Sequence, residues 1–166
     1  MKEIFERRSI RRYTNEPVSE EDLRYLLKAA MAAPSAHNEQ PWEFIIVKDR
    51  QLLTEITKFH PYSQMLHEAP VAIIVCGDQN KEKTKGYWVQ DCSAATENIL
   101  LAAQGKGLGT VWMGVYPKED LVKNTKRLFQ IPEHVTPLCI VAVGYPGEKK
   151  EPADRYDEKR VHRDKW

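Results

Sequence analysis

The chain has no long hydrophobic run. Its longest apolar stretch, Val71-Ala72-Ile73-Ile74-Val75-Cys76, is far shorter than the ~20 residues a membrane-crossing helix needs. The opening residues, Met1 to Arg7, carry no apolar core of a secretory signal. Charge of one sign is also missing. Twenty-five Lys and Arg stand against 24 Asp and Glu, a formal net charge of +1, so no global field draws the protein to nucleic acid or to a membrane, and any anion site must be local. Cysteine is scarce. The three residues Cys76, Cys92 and Cys139 show no CxxC spacing and read as buried reduced thiols, which makes the cytoplasm the expected location. His60 and His67 lack partners at metal-ligand spacing. No GxSxG or Cys–His arrangement offers a nucleophile, and no pair of acids stands out as general acid and base. The expectation is therefore no catalytic side chain and no metal.

What is present suits a globular domain. Apolar residues make up 42% and charged residues 30% of 166, enough for one domain over residues 1–166 with a single core. Met1 to Arg7 reads as a short helix with Ile4 and Phe5 inward. Ser19-Glu20-Glu21-Asp22 is a helix start, followed by Leu23, Leu26, Leu27, Ala30 and Met31 on one face and stopped by Pro34. Trp42 to Val47, Val71 to Cys76, Thr110 to Val115 and Leu138 to Val143 read as strands. Leu52 to Phe59 reads as a helix, as does Tyr87 to Gln104, apolar around much of its circumference. Pro117 is placed as a first-turn proline before a helix through Phe129. Residues 145–166, charged and poor in aliphatics, read as an extended C-terminal arm. The order of elements predicts an α+β fold, a four- to five-stranded mixed or antiparallel sheet flanked by helices. A doubly wound sheet is the alternative, but no Gly-rich turn follows the first strand.

Three clusters could carry chemistry. Arg7, Arg8, Ser9 and Arg11 offer three guanidiniums and a hydroxyl within five residues. That set suits a phosphate, although arginines at a helix C-terminus also favour the helix dipole. The segment from Pro34 to Trp42 holds a hydroxyl (Ser35), two amides (Asn38, Gln40) and His37 between two prolines. Amides both donate and accept, which fits a heterocycle or sugar; Ser35 and Asn38 equally suit a simple turn. Gly105-Lys106-Gly107-Leu108-Gly109-Thr110 lacks the ending of a P-loop and follows a helix, so it is not one, but its glycines permit close approach of a flat ligand.

Taken together these segments resemble the FMN-dependent nitroreductase family. The resemblance rests on Arg7-Arg8-Ser9-Ile10-Arg11, on Ala33-Pro34-Ser35-Ala36-His37-Asn38-Glu39-Gln40-Pro41-Trp42, and on Ala69-Pro70-Val71. It continues through Gln90-Asp91-Cys92-Ser93-Ala94-Ala95-Thr96-Glu97-Asn98, Gly107-Leu108-Gly109-Thr110, Val143-Gly144-Tyr145-Pro146 and Arg155-Tyr156-Asp157. It implies a nitroreductase-like, intertwined homodimer with shared FMN sites and NAD(P)H as the reductant, and a small-molecule acceptor such as a nitroaromatic or quinone. Flavin N5 would be the reactive centre, in ping-pong order. By the same resemblance Arg7, Arg8, Ser9 and Arg11 would hold the flavin phosphate. Pro34, Ser35 and Asn38, supported by Gln40, would reach the partner's flavin. The backbone around Trp112, Met113 and Gly114 would lie near the isoalloxazine, and Arg155, or failing it Arg160, would return to the phosphate. The Ala-rich helix from Tyr87 would form the dimer core. Flavin reduction, dehalogenation, flavin cleavage and a non-catalytic redox sensor are the alternatives that the resemblance leaves open.

Overall fold

The computed structural model describes residues 2–166. Helix α1 (Glu3–Glu6) is a single turn and α2 (Glu20–Met31) is the first full helix. They precede β1 (Trp42–Val47), α3 (Arg50–Phe59), β2 (Val71–Asp78), α4 (Trp88–Gly105), β3 (Gly109–Gly114), α5 (Glu119–Phe129) and β4 (Val135–Gly144). The sheet has four strands in the order β1-β2-β4-β3, every neighbouring pair antiparallel. The α+β expectation holds, at the lower end of its strand range.

The strands are apolar on both faces, and alternation sorts their side chains into two cores. Ile73, Val75, Cys139 and Val141 pack with Leu23, Leu26, Cys92, Ala95 and Ile99, beneath α2 and α4. Ile74, Cys76, Ile140 and Ala142 pack with Leu53, Ile56 and Leu121, beneath α3 and α5. Ser19 caps α2, accepting the Asp22 N–H at 3.0 Å, and α4 meets both α2 and the sheet.

Some sequence expectations shift. Ile4 and Phe5 are 49% and 73% exposed rather than inward, because this one-turn helix lies at the surface, where both side chains line an open cavity with Arg155 and Tyr156. The predicted extension of that helix to Met1 lies outside the described residues. Met31, expected on the buried face of α2, is exposed at the helix's last turn. Strand β3 ends one residue earlier than read, and β4 begins at Val135 rather than Leu138. Pro117 precedes the first turn of α5, whose N-cap is Lys118. All three thiols are free and buried; burial raises Cys76 and Cys139 to about 12 and pushes Cys92 up as well.

Candidate functional site

Edge strand β3 organises the site. The Val115 N–H donates to Leu138 O, its opposite residue. Antiparallel alternation then turns the backbone groups of Thr110, Trp112 and Gly114 away from β4, toward the open edge. The Arg7–Arg11 segment covers the near end of that edge: Ser9 bridges Thr110, and the Ile10 N–H donates to Thr110 O at 2.9 Å. Gly109 permits this approach, since a Cβ there would sit 2.8 Å from Ile10 Cγ2. At the far end, Gly114 O is taken by His60 Nε2 at 3.0 Å. Among the described residues no partner takes the Gly114 N–H or the Trp112 N–H and C=O between these two anchors.

The open edge faces a cavity of about 350 Å³ lined by Arg11, His60, Tyr62, Trp112, Met113 and Gly114, among others. Of the sequence-nominated residues, the structure therefore brings together Arg11, Trp112, Met113 and Gly114. The Gly114 backbone is not in the left-handed region, and no protein atom lies within 4 Å of where its Cβ would stand. Neither conformation nor packing within the chain requires a glycine there. The bare position is what a flat ligand lying against the strand would require.

The other nominated arginines do not line this cavity. Arg7, Arg8 and Arg155 line a second cavity of about 430 Å³ with Ile4, Phe5 and Tyr156. The Arg8 guanidinium donates to Glu151 O, and Arg7 Nε lies 3.7 Å from Glu97. The side chains of Arg11 and Arg155 form no ion pair or hydrogen bond within the described chain. Arg160, the second choice for the arm, pairs with Asp157 at 3.3 Å. The first part of the arm straps the basic segment down. Gly147 N donates to Arg12 O at 2.8 Å, Lys150 Nζ to Ser9 O at 2.8 Å, and Arg11 N to Glu148 Oε1 at 2.6 Å. That Arg11 N–H is the main reason the Glu148 carboxyl is held below its usual range, with Lys150 assisting. Sequence reading missed Glu148 and Lys150, since nothing local in Pro146-Gly147-Glu148 announces a partner far away in the chain.

Pro34, Ser35, Asn38 and Gln40 line neither of these two cavities. The loop is built as a projecting structure. His37, Asn38 and Gln40 all adopt left-handed backbone, with φ of 49°, 55° and 49°. This costs of order 1–2 kcal/mol for a residue with a Cβ and is tolerated best by Asn. Three internal bonds offset that cost: Gln40 N to Ser35 Oγ at 3.0 Å, Gln40 Nε2 to Asn38 Oδ1 at 2.8 Å, and Asn38 N to Ser35 O at 3.1 Å. Two carboxylates, the buried Asp91 and the half-buried Glu39, both unforeseen from sequence, tie the loop to the body. Asp91 Oδ1 accepts from Ala36 N at 3.0 Å, and Glu39 Oε1 accepts from Lys83 N at 2.7 Å and Thr84 N at 3.2 Å. Their other oxygens, Asp91 Oδ2 and Glu39 Oε2, are buried without a partner among the described residues. The Asn38 and Gln40 side chains remain exposed.

As chemistry, the edge offers the cationic Arg7–Arg11 segment at one end, the bare Gly114 at the other, and, among the described residues, unpaired backbone donors and an acceptor between them. This set fits a planar heterocycle carrying a phosphate, and so it fits FMN. Among the described residues no group of three or more His, Cys, Asp or Glu is placed to hold a metal ion.

The chain is similar to known proteins along nearly all of its length. The sequence profile of the Nitroreductase family matches residues 4–145. A protein of Methanothermobacter thermautotrophicus, whose name pairs NADH dehydrogenase with NAD(P)H nitroreductase, is 53% identical over 160 residues, covering 96% of this chain and 84% of that protein. The solved FMN-dependent nitroreductase of Clostridium difficile R20291 superposes with a TM-score of 0.91 at 31% identity, covering 99% of this chain and 98% of that one. A nitroreductase-type protein of Desulfovibrio desulfuricans, solved in complex with FMN, gives 0.86 at 29% identity, covering 99% and 96%. The chain belongs to the nitroreductase family.

Proposed function

We propose that the protein is an NAD(P)H-dependent, FMN-containing oxidoreductase, working as a homodimer in the cytoplasm and reducing a small acceptor such as a nitroaromatic or quinone. The observation that carries this reading is the meeting of Arg11 with Trp112, Met113 and Gly114 around one cavity at the open edge of β3. Arg7, Arg8 and Arg155 line one further cavity, on the same basic segment and the C-terminal arm. When bound, FMN would supply the redox chemistry between NAD(P)H and the acceptor, in ping-pong order.

The chain's own residues bind, orient and exclude. Arg7, Arg8, Arg11 and Arg155, with the Ser9 hydroxyl, form a cationic seat for the phosphate, each charge-assisted bond contributing about 1.5–3 kcal/mol. The Gly114 N–H and the Trp112 backbone groups, turned to the open edge, would orient the heterocycle by hydrogen bonds. Gly114 lets the ring lie against the strand. The chain does not fold its own Pro34–Gln40 loop onto this seat, and the loop projects with Asn38 and Gln40 exposed. We assign Pro34, Ser35, Asn38 and Gln40 to the flavin of the second subunit. The Ala-rich α4, with Ala94 and Ala102 part-exposed, is the helix that would meet its symmetry mate. The whole chain acts as one FMN-binding unit, with residues 145–166 as its arm.

Fluorescence titration with FMN and light scattering test this together. The expected result is saturable quenching at one FMN per chain in a particle of twice the chain mass. A monomer that binds FMN would overturn the shared site, and a dimer that does not bind would overturn the cofactor.

A further inference from the structure

Within the reading of β3 as the flavin-binding edge, we propose that His60 is a positioning residue, holding the end of that strand in the orientation the ligand needs. His60 is 1% exposed, yet its imidazole lines the cavity that Arg11, Trp112 and Gly114 share. Both ring nitrogens are engaged. Nδ1 accepts the Tyr62 N–H at 3.3 Å, which fixes the proton on Nε2, and Nε2 donates to Gly114 O at 3.0 Å. The histidine is itself held by backbone on both sides: His60 N donates to Ile56 O at 3.0 Å, and the buried Ser63 Oγ donates to His60 O at 2.7 Å.

The consequence lies in the geometry of an edge strand. Among the described residues nothing beyond β3 holds the outward groups of Gly114 except this imidazole. The same peptide plane links Gly114 O to the N–H of Val115, already committed to Leu138. The imidazole and Leu138 O hold that plane from its two sides and so limit the Gly114 torsions, which set the direction of the Gly114 N–H in the preceding peptide plane. A preorganised donor binds better than one that must be ordered on binding. His60 touches no reacting atom in this account; it acts through Gly114.

Two amide replacements separate this role from bulk packing. Gln can carry a donor to about the position of Nε2, whereas Asn is one methylene too short. His60→Gln should bind FMN within about twofold of wild type with an unchanged visible circular dichroism band. His60→Asn should bind about tenfold more weakly, the equivalent of one ordinary hydrogen bond, with a shifted band and slower bleaching by NADH at saturating FMN. Equal spectra, affinity and bleaching in wild type and both variants would overturn the proposal, as would a Gln variant no better than Asn. Should the Asn variant not fold, wild-type imidazole ¹⁵N shifts decide. The His60 signals, assigned by their loss in His60→Gln, should report an Nε2–H tautomer and move when FMN is added; signals that do not move contradict the role. Failure of the wild type to bind FMN at all would instead remove the reading beneath it.

Discussion

The Ala36 N–H donates to Asp91 Oδ1 at 3.0 Å, tying the projecting loop to the first turn of α4. Asp91 is buried, so removing its carboxylate strands a backbone donor. Asp91→Ala should destabilise the fold by about 1–3 kcal/mol in urea unfolding, and the Ala36 amide should exchange faster with solvent. A variant with unchanged stability and unchanged exchange at Ala36 would show that the loop is held by Glu39 alone.

Gly77 and Gly114 make opposite predictions for the same substitution. A Cβ on Gly77 would stand 2.4 Å from the buried Trp88 ring, so Gly77→Ala should cost about 1–3 kcal/mol through overpacking. A Cβ on Gly114 meets nothing within 4 Å. Gly114→Ala should leave apoprotein stability within about 0.5 kcal/mol of wild type while weakening FMN binding. Thermal unfolding of the apoprotein and an FMN titration check both halves. Unimpaired FMN binding by Gly114→Ala would remove the steric argument for the site.

Arg11 is exposed, and its side chain has no partner among the described residues, so its loss should not disturb the fold. Arg11→Ala should lower FMN affinity by about 1.5–3 kcal/mol, the worth of one charge-assisted contact. Fluorescence titration at two salt concentrations checks it, since an ionic contact at the surface weakens with salt. Near-normal affinity would leave Arg11 as a solvated charge.

Burial raises the Cys76 and Cys139 thiols to about 12 and Cys92 likewise upward, which keeps all three protonated and unreactive at neutral pH. A thiol reagent at pH 8 should label none of the three cysteines in the native protein and all three in denaturant. Rapid labelling of the native fold would contradict their burial.

Much of the fold was readable because its signals are local. Trp42 to Val47 was bounded to the residue, and Ser19 caps α2 as its type and position suggest. The misreadings have physical sources. Ile4 and Phe5 have the right spacing for a buried face, but periodicity does not say whether anything lies above them. For the candidate site, sequence nominated the Arg7–Arg11 segment and the 34–40 loop, while the parts that hold them escaped notice. Asp91, Glu148 and His60 act through single contacts with residues more than fifty positions away. A pairing of that kind leaves no local pattern. His60 had been weighed only as a metal ligand, and the left-handed backbone at His37 and Gln40 has no glycine to announce it.

The central claim is that a flavin seated at the open edge of β3 takes electrons from NAD(P)H. It is tested most directly by the absorption spectrum of the purified protein, supplemented with FMN and freed of excess, before and after NADH or NADPH is added without oxygen. The account predicts a bound-flavin spectrum that bleaches within seconds. A protein that stays colourless after FMN, or whose bound flavin neither nucleotide bleaches, would contradict it.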